Sequence, residues 1–195
     1  MLAVGLFCFD NLLLFVFNFD TISVDYGPCT LDSTTTGKSA MIQKVNSIPR
    51  GMSTVTPYLL IQGGSEAISF YVQVFGAKEI VRLTSPDGRI CHAEIRIGDS
   101  VIMVADEHPE MDFLGPKTRG GTTVSLLIYV ENADEVFASA INAGATELRP
   151  ICDQFYGDRS GSITDPWGHV WSIATHLEDI SPVELKRRFD ELYAD

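Results

Sequence analysis

From residue 53 onward the apolar positions fall into two alternating periods, and the order of periods occurs twice. Residues 54–61 read as a strand. Ser65 then stands where a helix cap is expected, and Ala67, Ile68, Tyr71, Val74 and Phe75 recur at helical spacing until Gly76 closes the run. Three further strands follow near 79–84, 89–97 and 100–105. The second copy opens with a strand over 122–130. Asn132 can cap a helix with Val136, Phe137, Ala140 and Ile141 on one face, ended by Gly144. Strands near 146–152, 161–165 and 169–175 complete it. The phrase after the first helix, Gly76-Ala77-Lys78-Glu79-Ile80, returns as Gly144-Ala145-Thr146-Glu147-Leu148, and the turn Ser85-Pro86-Asp87-Gly88 is echoed by Asp165-Pro166-Trp167-Gly168. One βαβββ unit would leave its sheet half covered, whereas two can bury a shared core. The pattern therefore predicts an α+β fold. Two βαβββ repeats, 53–106 and 122–176, form a curved mixed sheet around a cleft, and a C-terminal helix follows.

Alternation within strands assigns faces. Val124, Leu126, Ile128 and Val130 make one apolar row, opposed by the mixed row Thr123, Ser125, Leu127 and Tyr129. Likewise Cys91, Ala93, Ile95 and Ile97 oppose His92, Glu94 and Arg96. The mixed rows of both copies are expected to line one concave pocket, with Tyr58 and Tyr129 as aromatic contacts and Trp171 in the core. Asp165-Pro166-Trp167-Gly168 carries the residue preferences of a type I turn. Just ahead, Phe155-Tyr156-Gly157-Asp158-Arg159 suits either a ligand-contacting loop or a structural Arg–Asp clasp. His92 and Glu94, at i and i+2, share a face and suit either an acid–base pair or a partly exposed cross-strand pair. His169 reads as structural, bonding a turn carbonyl, and 107–121 reads as a mobile loop.

Composition narrows the function. A net charge of −12 over 195 residues argues against phosphate-driven nucleic-acid binding and is compatible with a cationic or small neutral ligand. Cys8, Cys29, Cys91 and Cys152 have no C-x-x-C spacing and read as isolated, partly buried thiols. No pair of histidines has zincin spacing, and no phosphate-binding or nucleophile-elbow motif occurs.

Residues 1–47 read as an N-terminal extension outside the fold, with Met41 an alternative start. Its apolar run is interrupted by Asp10 and has no Lys or Arg before Lys38, so a membrane or targeting segment is the lesser reading and a cytoplasmic protein is expected. The domain proper spans 48–178. In the tail, 179–195, Ser181, Pro182 and Glu184 announce a helix with the apolar stripe Leu185, Phe189 and Leu192 beside Lys186, Arg187 and Arg188. This helix packs on the body or on a second subunit.

The duplicated pattern, with Phe70-Tyr71 in the first helix, Phe75-Gly76-Ala77 after it and Asp165-Pro166-Trp167-Gly168-His169-Val170-Trp171 near the end, resembles the vicinal-oxygen-chelate superfamily. Thr54-Val55-Thr56-Pro57-Tyr58-Leu59, His92-Ala93-Glu94 and Asp153-Gln154-Phe155-Tyr156-Gly157-Asp158-Arg159 extend the likeness to about residues 48–183, within the PhnB-like glyoxalase/bleomycin-resistance branch. That superfamily holds glyoxalases, bleomycin- and fosfomycin-resistance proteins and extradiol dioxygenases, so the resemblance is specific for fold and not for chemistry. Metal-dependent members carry His, Gln or Glu at four pocket-facing positions. The corresponding positions here are Thr56, Met103, Ser125 and Ser172, whose hydroxyls and thioether are poor ligands for Zn²⁺ or Ni²⁺. The resemblance thus implies a pocket with no metal and no cofactor, and a homodimer.

Three functions remain open. The first is a small-molecule-binding protein of the bleomycin-resistance kind, its ligand contacted by Thr56, Tyr58, Met103, Ser125, Tyr129, Phe155, Tyr156, Arg159 and Ser172. The second is a glyoxalase-type lyase or isomerase, metal-free with His92 and Glu94 as acid–base residues or with an atypical metal set. The third is an interaction module with a vestigial pocket.

Overall fold

Alternation of apolar side chains and two amphipathic helices fold into two four-stranded mixed sheets with a common core, seen in a computed structural model that describes residues 46–194. The expectations for residues 1–45, including Cys8, Cys29 and Met41, lie outside the described residues. The first repeat comprises β1 (Tyr58–Ile61), α1 (Gly64–Phe75), β2 (Lys78–Thr84), β3 (Ile90–Ile97) and β4 (Ser100–Asp106). A short 3-10 turn (Pro109–Met111) and α2 (Pro116–Arg119) lead to the second: β5 (Ser125–Tyr129), α3 (Ala133–Asn142), β6 (Thr146–Asp153), β7 (Asp158–Thr164) and β8 (Val170–His176). α4 (Pro182–Glu191) follows. The strand orders are β1-β4-β3-β2 and β5-β8-β7-β6, and in each sheet the first strand runs parallel to its neighbour while the other pairs are antiparallel. The internal duplication is thus realised as the same topology twice.

The core lies between the sheets and α1 and α3. Ala67, Ile68, Phe70, Tyr71 and Val74 of α1 are buried with Ala93, Ile95 and Val104 of the first sheet and Ile163, Trp171 and Ile173 of the second. Trp171 is fully buried, with ring centroids of Phe75 and Tyr71 at 4.7 and 5.3 Å. Gly161 lets β7 approach α3 closely, since a Cβ there would lie 2.9 Å from the Phe137 ring and 3.0 Å from the Ile151 backbone. Gly161→Ala is therefore expected to cost roughly 1–3 kcal/mol by overpacking, read as a lower urea midpoint; an unchanged midpoint would refute this packing.

Several boundaries differ from the sequence reading. β1 starts at Tyr58, not at 54, because Pro57 has no N–H to give the ladder; its carbonyl takes the first bond, from Met103 N. Thr56 is therefore ahead of the strand, its hydroxyl donating to the Ser53 carbonyl at 3.2 Å. In β3 the register slips between Leu83–His92 and Thr84–Ile90, leaving Cys91 as the extra residue of a bulge. Ile90 consequently takes the core position, and Cys91 is exposed, as is Cys152. Val124 falls before β5 and is exposed, so the packed row there is Leu126, Ile128 and Val130. β7 starts at Asp158, earlier than expected, because a tight turn through Gly157 pairs Asp153 with Arg159.

The caps also differ in part. Asn132 caps α3 and Ser181 caps α4, each accepting from the backbone N–H three residues on. Ser65 does not cap α1; it lies inside the helix and its hydroxyl accepts from Arg82. The carboxylate of Asp106 instead takes the N–H groups of Gly63 and Gly64. The segment read as a mobile loop contains the two helical turns, tied by Glu107, which accepts from Gly115 N at 2.7 Å and from the Thr118 hydroxyl at 2.8 Å. Glu184 turns its carboxylate to Arg187 and Arg188, so only the Ser181 half of a capping box is present.

Candidate functional site

The open face of the second sheet carries the most chemically differentiated surface. Register sets Leu127, Ser172, Ser162 and Arg149 side by side across β5, β8, β7 and β6, with Tyr129, Ala174, Ser160 and Cys152 as the next row. These two rows, together with Ser125, Tyr156 and Asp158, line a cavity of about 660 Å³. The Ser162 and Ser172 hydroxyls are 3.0 Å apart, and the Tyr156 hydroxyl is 3.2 Å from Ser160 Oγ.

Asp158 sits buried at one end of this cavity with both oxygens occupied. Tyr129 donates its hydroxyl to Oδ2 at 2.9 Å, and His176 Nδ1 lies 2.7 Å from Oδ1. The other ring nitrogen of His176 lies 3.0 Å from Asp179. Donating from both nitrogens requires the imidazolium, and the hydrogen bonds to Asp158 and then Asp179 raise the His176 pKa. The separate hydrogen bond from Tyr129 to Asp158, with a smaller desolvation effect, raises the Tyr129 pKa. A histidine whose folded pKa is raised stabilises the fold fully below its unfolded value, and that contribution fades as pH rises through the folded value. An NMR titration should accordingly place the His176 midpoint above 6.5, and the stability gap between the native chain and His176→Gln should shrink with rising pH. A midpoint at or below 6.5 would refute the clasp.

Of the residues anticipated from the sequence as ligand contacts, Ser125, Tyr129, Tyr156 and Ser172 meet in this cavity, and Thr56, Tyr58, Met103, Phe155 and Arg159 are not among its lining. While Tyr156 and Asp158 of the same loop line the cavity, Arg159 itself forms an Arg–Asp clasp, binding Asp134 at 2.6 and 2.7 Å and Asp153 at 2.8 Å. These carboxylates push its already high pKa further up. Phe155 packs edge-on against Tyr156 and meets Phe189 of α4. Asp158, Ser160, Ser162 and Arg149 were not anticipated. Period-two counting from Asp158 puts Ser160 and Ser162 on the face of Ser172, whereas a strand confined to 161–165 leaves Asp158 and Ser160 in the loop.

The first sheet gathers a second group on its open face. Tyr58, Met103 and Glu94 are register partners across β1, β4 and β3. The Tyr58 hydroxyl lies 3.2 Å from His92 Nδ1, and burial, with a smaller effect of Cys91, raises the Tyr58 pKa. His92 is almost wholly buried, in contrast to a partly exposed pair. Among the described residues its Nε2 has no hydrogen-bond partner, with Glu94 Oε1 at 3.5 Å. His169 bonds not a turn carbonyl but the Leu60 carbonyl of β1, 3.3 Å from Nε2, and burial lowers its pKa. The neutral ring this favours donates from Nε2 and links the two repeats.

The residue types do not fit a divalent transition metal. Ser125 and Ser172 lie in the cavity of the second sheet and Met103 on the first sheet, while Thr56 is outside both. Among the described residues no group of three or more His, Cys, Asp or Glu side chains is spaced to hold an ion. No helix among them is long and apolar enough to cross a membrane.

Paired βαβββ sheets with an open, hydroxyl-lined face define a class, and over residues 59–173 the chain matches the Glyoxalase/Bleomycin resistance protein/Dioxygenase superfamily, to which it belongs. Among its relatives, an uncharacterized protein of Mycobacterium bovis is 36% identical over 135 residues, covering 68% of this chain and 89% of that protein. The crystal structure of protein PA1353 from Pseudomonas aeruginosa aligns with a TM-score of 0.55 at 25% identity, over 64% of this chain and 98% of that one. A Bacillus cereus PhnB protein, described as a putative 3-demethylubiquinone-9 3-methyltransferase, shares the fold with a TM-score of 0.52 at 17% identity, over 63% and 99% of the two chains.

Proposed function

We propose that this chain binds a small molecule in the cavity of its second sheet and does so without a catalytic metal. The observation that carries the reading is that cavity itself. At about 660 Å³ it falls within the usual ligand-pocket range, and it combines convergent hydroxyls with the apolar surfaces of Leu127 and Tyr129. Its polar groups are ones that orient a ligand, and Ser125 and Ser172 carry hydroxyls that are poor ligands for a divalent transition metal. A calorimetric screen of small metabolites should find binders whose affinity is indifferent to a chelator and is lost in Ser172→Trp, which fills the floor. Binding unaffected by Ser172→Trp, or lost with the chelator, would overturn it.

The same reading takes the chain as a cytoplasmic homodimer. Exposed Tyr58, Val81 and Leu83 on the first sheet give a second copy apolar surface to cover, and exposed thiols at Cys91 and Cys152 suit a reducing compartment. Sedimentation at monomer mass would refute the dimer.

A second reading, a metal-free glyoxalase-type lyase or isomerase, is favoured by one observation, the unpartnered Nε2 of His92 beside Glu94 and Tyr58. Turnover of the methylglyoxal–glutathione hemithioacetal that survives a chelator and falls in both His92→Asn and Glu94→Gln would support it. No turnover would leave buried His92 and half-buried Glu94 as a structural polar pair.

A further inference from the structure

The cavity carries one cationic side chain in a strongly acidic chain, and its lack of a carboxylate partner points to a ligand class. Two charged side chains line it, Arg149 and Asp158. Asp158 is committed: Tyr129 and His176 occupy its two oxygens, and its carboxylate is buried. Arg149 is uncommitted. Among the described residues its guanidinium makes no ion pair or hydrogen bond, whereas Arg82, Arg89, Arg119, Arg159, Arg187 and Arg188 each hold a carboxylate. Arg50 and Arg96 also hold no carboxylate among the described residues, but of the three Arg149 alone lines this cavity. The register fixes its neighbours: Arg149 opposes Ser162, which opposes Ser172, so an arginine and two serines stand in line across three strands.

We infer that the cavity takes a small organic anion, with Arg149 holding its carboxylate or phosphate and the Ser162–Ser172 pair donating its one free hydroxyl proton to the same group. This rests on the cavity being the binding site. A planar guanidinium presents paired donors that match such an anion, and hydroxyls can donate to oxygens that accept only. The overall negative charge then acts as a filter. Anions are repelled from an acidic surface, and a free arginine lining a cavity retains them. The inference reverses the cationic or neutral ligand that composition alone suggested.

Four probes of one size isolate the charge: benzoate, phenyl phosphate, benzamide and benzylamine, each titrated calorimetrically into the full chain. The two anions should bind about tenfold or more tighter than benzamide, as expected for a charge-assisted pair. Arg149→Gln should erase that margin and Arg149→Lys should keep part of it. Amide shifts in NMR should fall on cavity residues, and Ser172→Trp should abolish them. Benzamide or benzylamine binding as tightly as benzoate, or benzoate binding unchanged in Arg149→Gln, would overturn the anion inference while leaving the cavity as the site. Binding of the anions that persists in Ser172→Trp, or no binding by any probe, would overturn both. A preference between benzoate and phenyl phosphate tells carboxylate from phosphate ligands.

Discussion

Asp165→Ala should lower the stability of the fold by roughly 4 kcal/mol, because one buried carboxylate satisfies four donors and two of these have nowhere else to turn. Its Oδ1 accepts from the backbone N–H groups of Trp167 and His169, both at 2.9 Å, which fixes the turn. Its Oδ2 accepts from the Tyr71 hydroxyl at 2.7 Å and from Trp171 Nε1 at 3.0 Å. Tyr71 and Trp171 are fully buried, so no water replaces the lost acceptor. Burial first, and the Asp165 charge second, push the Tyr71 pKa well up, so that its hydroxyl stays protonated and donates. Tyr71 belongs to the first repeat and Asp165 to the second, and their bond joins the halves. In urea titrations Asp165→Asn, which keeps one accepting oxygen, should lose less than alanine. A cycle with Tyr71→Phe should be non-additive by about 1 kcal/mol or more. A loss for Asp165→Ala below about 1 kcal/mol would refute this account.

Asp106→Ala should cost roughly 3 kcal/mol. The carboxylate ends β4 and reaches the start of α1, where Oδ1 accepts from Gly63 N and Gly64 N, both at 2.8 Å. Its Oδ2 accepts from Ile90 N at 2.6 Å. A negative charge at a helix N-terminus also meets the favourable end of the helix dipole. No side chain of α1 itself replaces this cap. Ser65→Ala supplies the contrast: the residue that looks like the cap is not one, and its loss should stay within about 0.5 kcal/mol. Equal losses in the two variants by chemical denaturation would show that Ser65 is the cap after all.

The two carboxylates differ in how legible they were. Asp165 announces itself, because Asp-Pro-Trp-Gly is a local turn and the first bonds it makes lie two and four residues on. Asp106 gives no local signal, since its partners lie 43, 42 and 16 residues away. The site divides in the same way. Period two places Ser125 and Tyr129 together on one face, and the structure keeps them together. The bulge at Cys91 breaks the same counting rule, because one extra residue turns Ile90 inward and Cys91 outward. Arg159 and Arg149 illustrate the limit for charges. Both are arginines on strands, and only the fold gives one of them Asp134 and Asp153 while leaving the other facing an open cavity.

The amino-acid order by itself determined the duplicated βαβββ plan, the family likeness, the core face of α1, that of α3 except for Ile141, which is exposed, and the caps at Asn132 and Ser181. These are set by hydrophobic period, turn chemistry and side-chain hydrogen bonds a few residues long. Only the tertiary structure decided that Asp106 caps a distant helix, that Asp165 ties the repeats, and that Arg149 remains free beside a row of hydroxyls. Those outcomes depend on strand register and on which side chains cross between elements, and residues far apart in the chain meet only once the sheets have formed.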